Sequence, residues 1–233
     1  MKGEGGFSIG IVLFQKVTSL DFVGPLDILS RNPEARIHLI AHTLDPIGAD
    51  NGMRVIPDTT FADAPQLDMV LVPGGPGTMS MMEDDELIGF LRSSGENAAW
   101  ITSVCTGSLL LGAAGLLTGY RAVTHWTMMD ALPIFGAEPV AERVVADRNR
   151  VTGAGVSAGL DFALTLTALL WGNERAERIQ LGTEYDPHPP FDAGSPAKAP
   201  PQVVSAFRAG SARLTERRMA AARRAARKLT VNA

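Results

Sequence analysis

Apolar positions along the chain fall into two alternating patterns: short continuous runs and longer runs at helical spacing. FSIGIVLF (7–14) is continuous and β-rich, as expected of a strand covered on both faces. Ser19 offers an N-cap for a helix over LDFVGPLDILSR, which the Gly24-Pro25 pair should kink or delay. RIHLIAHTL is the next strand, and IGADNGMRVIP reads as a hairpin turning at Asp50-Asn51-Gly52. DMVLVPGG (68–75) is a buried strand ending in glycines, and DDELIGFLRSS an amphipathic helix. AAWITSV predicts a strand, TGSLLLGAAGLL a helix, RAVTHW a strand and TMMDALPIFG a helix. AERVVADRNRVTGAG predicts paired strands about Asp147-Arg148-Asn149, before helices over SAGLDFALTLTALLWG and NERAERIQLGTEY. This alternation predicts an α/β fold with an open, mostly parallel sheet between helical layers.

Composition narrows the picture. A chain of 233 residues, 45% hydrophobic, is long enough for one large domain with a substantial core. The runs LLLGAAGLL and FALTLTALLW are too short to span a bilayer, and MKGEGGFSIG lacks the basic-then-apolar plan of a signal sequence, so a soluble cytoplasmic protein is expected. A single cysteine excludes an intramolecular disulfide and a thiolate metal cluster. The net charge of -4 conceals an asymmetry: residues 202–233 carry eight basic side chains and one acid, Glu216, while the rest holds 13 basic and 24 acidic ones. A Pro-rich segment, 186–201, leads into this basic stretch, whose Leu214, Met219, Ala222, Ala226 and Leu229 mark one weakly apolar helical face. Packing on the acidic body or on a second subunit explains such a helix. Nucleic-acid binding would call for a helix-turn-helix or aromatic platforms, and neither is present in the pattern.

The lone cysteine is the chief chemical candidate. Cys105 ends AAWITSV just where the next helix begins, and open parallel sheets bind ligands beyond the carboxyl ends of their strands. A strand-to-helix elbow pushes its side chain outward, and the helix start should favour thiolate over thiol. A buried structural thiol is the alternative; the position favours a nucleophile. Candidate partners sit at four comparable places, one of them the Gly74-Gly75 pair. Asp21, in apolar surroundings after the first strand, reads as an acid/base neighbour or as a first-turn helix acid. Gly74 and Gly75 offer backbone N–H groups for a developing anion or form an ordinary tight turn. Thr106 caps the elbow helix or meets a substrate, and His125 is a base or a structural histidine.

VPGGPG, TSVCTGSLLLGAAGLLTGYRAVTHW and VTGAGVSAGLDFAL, together with LDFVGP, resemble the ThiJ/PfpI group of the class I glutamine amidotransferase-like superfamily, and within it the isocyanide (isonitrile) hydratases. The likeness runs over residues 7–195, leaving 196–233 as a linker and basic helix. It implies a flavodoxin-like three-layer α/β/α sandwich with a nucleophile elbow, a homodimer, no cofactor and no metal, and the conversion of an isocyanide plus water into an N-substituted formamide. It further implies that Cys105 is the nucleophile and Asp21, where wider relatives carry Glu, its acid/base partner. Gly75 and Thr106 would supply contacts around the nucleophile, and the Val156 backbone would approach the sulfur. Thr106 stands where related proteases place His, which disfavours peptidase chemistry. The rival expectation is a ligand or oxidation sensor related to the N-terminal domain of AraC-type regulators, which continue into a DNA-binding domain.

Overall fold

A computed structural model describes residues 6–231. Residues 1–5, part of the stretch inspected for a signal sequence, lie outside the described residues. Seven strands among the described residues form the central sheet: β1 (Phe7–Val12), β2 (Ala35–Ala41), β3 (Thr59–Thr60), β4 (Met69–Val72), β5 (Trp100–Val104), β6 (Val144–Asp147) and β7 (Arg150–Gly153). Their order is β6-β7-β5-β4-β1-β2-β3, parallel throughout except for the β6–β7 hairpin. Helices α1 (Ser19–Leu29), α2 (Thr78–Met81), α3 (Asp85–Asn97), α4 (Gly107–Ala113), α5 (Ala158–Trp171), α6 (Asn173–Gly182) and α7 (Pro201–Val231) complete the fold with a 3₁₀ helix over Trp126–Phe135. One layer is built from α1, α5 and α6; the other centres on α4, packed against α3, α7 and the 3₁₀ helix. The expected flavodoxin-like sandwich is thus the observed one.

The continuous apolar runs have a direct cause. A parallel sheet needs helical crossovers on both faces, so its inner strands have no wet side. All four residues of β4 are buried, as are the last four of β1 and of β5. From β1 the chain winds outward through β2 on one side and through β4, β5 and β7 on the other, which makes the β1/β4 boundary the topological switch point. Register is level across it: Ile11 pairs with Leu71, Val72 with Ser103, and Val104 with Gly153. The loops after β1, β4, β5 and β7 therefore emerge side by side.

Several local expectations are corrected. Helix α1 starts at Ser19 with Thr18 at the N-cap, without a side-chain cap, and runs unbroken past Gly24-Pro25. Those two residues pack on α5, where a Cβ on Gly159 would stand 3.0 Å from Pro25 Cδ, so tertiary packing holds a turn that propensity alone would weaken. RAVTHW is not a central strand. Only Arg121–Ala122 pair, with Glu138–Pro139, in a two-residue ladder. The segment after it is 3₁₀ and not α-helical, with Pro133 inside it unable to donate a ladder hydrogen bond. The β6–β7 turn and the Ile47–Gly48/Arg54–Val55 hairpin fall where expected, with positive φ at Arg148 (55°) and Gly52 (89°).

Candidate active site at the switch point

Cys105 follows β5 directly and has φ +57°, a left-handed conformation that L residues other than Gly, Asn and Asp seldom adopt. Four hydrogen bonds hold the strain. The Cys105 N–H donates to Gly153 O (3.0 Å) and Ala154 O (2.8 Å), and its carbonyl accepts from Thr124 Oγ1 (3.0 Å) and Ser108 Oγ (3.1 Å). Close packing beneath the elbow requires Gly107, since a Cβ there would lie 1.9 Å from Val72 O. Cys105 at this turn is only 5% exposed.

Asp21 reaches the elbow from the first turn of α1. It is fully buried, and Gly74 N–H donates to its Oδ2 at 2.8 Å, a bond that spans the switch point itself. The Asp21 carboxyl and the Cys105 thiol lie against one another, and Oδ1 is buried without a hydrogen-bond partner among the described residues. Burial pushes Asp21 up from the usual 3.8 to about 7, against the pull of the Gly74 N–H, the thiol and the Arg218 cation, and Asp50 adds to the rise. Burial also pushes the Cys105 thiol up, helped by the Asp21 charge and opposed by the Thr106 N–H and Arg218. The expectation that the helix start favours the thiolate is therefore corrected. The Thr106 N–H acts in that direction, but desolvation outweighs it.

The glycine turn after β4 differs from expectation in one respect. Its N–H groups are not free for a developing anion: Gly74 donates to Asp21, and Gly75 donates to Thr106 Oγ1 at 3.1 Å. Both positions require glycine, Gly74 because a Cβ would meet Thr106 N at 2.5 Å and Gly75 because its φ is +135°. Thr106 makes no side-chain cap to α4; its buried hydroxyl ties the elbow to the Gly75 turn, with Thr78 Oγ1 3.3 Å away. His125 Nδ1 accepts from the Thr127 N–H (3.3 Å) and lies 2.8 Å from Thr127 Oγ1, while burial and Arg218 lower its pKa and so favour the neutral ring. Val156 is half-buried in the loop after β7. Together with Thr124, His125, Trp126, Met129 and Ala154 it lines a mostly apolar cleft of about 440 Å³ that adjoins the elbow through Thr124 and Ala154, both hydrogen-bonded to the Cys105 backbone.

Sequence reasoning missed Arg218. It is 9% exposed, projects from α7, and donates through Nη2 to Gly75 O at 3.1 Å. The signal was periodic: Leu214, Arg218 and Ala222 are spaced by four, so this arginine interrupts the apolar face of the basic helix.

A doubly wound sheet with a strained cysteine elbow and a buried carboxyl meeting at its switch point defines an α/β protein whose small-molecule chemistry belongs at the carboxyl ends of its strands. The chain belongs to the DJ-1/PfpI family, which it matches over residues 7–169. It is 48% identical to the isonitrile hydratase of Pseudomonas putida over 223 residues, which cover 96% of this chain and 98% of that protein. A crystal structure of a ThiJ/PfpI family protein from Pseudomonas syringae superposes with a TM-score of 0.92 at 45% identity, covering 94% of this chain and 91% of that one. The HTH-type transcriptional regulator GbdR of Pseudomonas aeruginosa is 31% identical over 180 residues, 74% of this chain and 49% of the regulator. No helix among the described residues is long and apolar enough to cross a membrane.

Proposed function

We propose that this protein is an isocyanide hydratase, a hydro-lyase that adds water to R–N≡C to give an N-substituted formamide. The observation that carries the proposal is the Cys105–Asp21 pair: a thiol in contact with a buried carboxyl whose pKa of about 7 keeps a proton available near neutrality. Identity of 48% to a hydratase along nearly its whole length supports the same reading. The terminal carbon of an isocyanide must gain both a nucleophile and a proton. Cys105 sulfur bonds to that carbon while the carbon takes up a proton through Asp21, giving the thioimidate R–N=CH–S–Cys105. Water then adds to the same carbon, with Asp21 moving its proton to nitrogen. Collapse of the adduct releases R–NH–CHO and returns the thiol. Gly75 and Thr106 hold the turn and the elbow in register, and the Val156 backbone approaches the sulfur from the loop after β7. The cleft beside the elbow takes the R group. The protein works as a cytoplasmic homodimer with water as its only co-reactant.

Formamide production from a simple aryl isocyanide tests this, with Cys105→Ala inactive and a mass shift of one substrate on Cys105 in rapidly quenched wild type. Turnover by Cys105→Ala at the wild-type rate would overturn it. The likeness to GbdR supports a second reading, a ligand sensor. Absence of turnover together with saturable isocyanide binding would select it.

A further inference from the structure

We infer that Arg218 is a positioning residue of the reaction centre: from the C-terminal helix it supplies the positive charge against which the Cys105–Asp21 pair carries its negative charge. A guanidinium is costly to bury unless an anion compensates it. Arg218 is buried, yet its one hydrogen bond among the described residues goes to a neutral acceptor, Gly75 O, and its Nε is buried without a partner. No carboxylate among the described residues forms an ion pair with it. The anionic groups whose fields it feels are Cys105 and Asp21, the two members of the site. Its neighbours on α7 pair elsewhere, Arg224 with Glu83 and Lys228 with Asp85, and those surface contacts dock the helix independently of the site. The hydrogen bond to Gly75 O adds a mechanical link, because the same residue's N–H is held by Thr106, next to Cys105.

Among the described residues the charges and dipoles facing the pair are few: the Gly74 N–H and Asp50 toward Asp21, the Thr106 N–H toward Cys105, and Arg218 toward both, while His125 also feels the guanidinium. Arg218 is the only cation among them, and it lies outside the stretch matched to the family, residues 7–169.

The test is the rate of Cys105 alkylation by iodoacetamide from pH 6 to 10, followed by intact mass on the full chain, for wild type, R218Q, R218K and R224M, with thermal unfolding recorded for each. R218Q removes the charge and ends in an amide at the position of the Arg218 Nε, two bonds short of the Nη2 that meets Gly75 O; R224M loosens the helix away from the site. The expected result is about tenfold slower alkylation of R218Q at pH 7.5, with the inflection about one unit higher. R218K and R224M should stay within about threefold of wild type, which corresponds to half a unit. Coincident profiles for R218Q and wild type would overturn the inference. So would an equal loss in R218Q and R224M, which would make helix docking the cause. Should R218Q fail to fold, R218M, assayed in the same way, decides: a displacement of about one unit upholds the inference, and an inflection within about half a unit of wild type overturns it. The pair is the one on which the hydratase reading rests, but alkylation needs no isocyanide, so the two fail separately.

Discussion

Replacing Asp21 with Asn tests the central electrostatic claim without breaking the packing. Asn keeps an oxygen for the Gly74 N–H and loses only the ionisable group. With a folded pKa of about 7 against the usual 3.8, the carboxyl holds its proton more tightly in the folded state. Its contribution to stability is therefore fully present below pH 3.8 and is lost as pH rises through 7. The whole loss is about 4 kcal/mol, of which somewhat more than half falls between pH 5 and pH 8. Urea unfolding of both proteins at those two pH values isolates the group. Stability of Asp21→Asn relative to wild type should rise by about 2–3 kcal/mol from pH 5 to pH 8. Formamide production should meanwhile fall by about 10²–10⁴-fold, because Asn delivers no proton. A stability difference that stays constant across this range would refute the raised pKa, and with it the argument that burial keeps a proton beside the sulfur.

Three further substitutions probe the elbow and the cleft. Cys105→Gly should be more stable than Cys105→Ala by about 1 kcal/mol in thermal unfolding, since glycine takes the +57° φ without a Cβ penalty. Thr106→Val leaves the Gly75 N–H without its acceptor and should cost about 1–3 kcal/mol in urea unfolding, with a lower kcat as the glycine turn shifts. Val156→Phe narrows the cleft and should lower kcat/KM for bulky isocyanides about tenfold more than for methyl isocyanide in a substrate series.

Much of the site could be read along the chain because each part sits at a strand end, and strand ends carry local marks. The run AAWITSV stops at Cys105, DMVLVPGG stops at paired glycines, and FSIGIVLF is soon followed by an acid in apolar company. What these marks could not convey is where the hydrogen bonds go. The Gly74 and Gly75 N–H groups were open to two readings until Asp21 and Thr106 were seen to occupy them. The strand expected at RAVTHW shows the same limit from the other side, since its β-rich composition carries no information on whether a neighbour is available to pair.

By itself the sequence determined the layered α/β plan, the elbow at Cys105 and the candidacy of Asp21, because hydrophobic period and strand-to-helix junctions are properties of neighbouring residues. Tertiary structure alone decided the electrostatics. Desolvation depends on what is packed above a group, so the raised pKa of Asp21 and the thiol kept protonated against the pull of a helix start follow only from burial at the switch point. Arg218 makes the same point at long range. It lies 113 residues after Cys105 in a helix whose pattern predicted packing on the body or on a second subunit without saying where, and only the docking of α7 brings its guanidinium to Gly75 and the site.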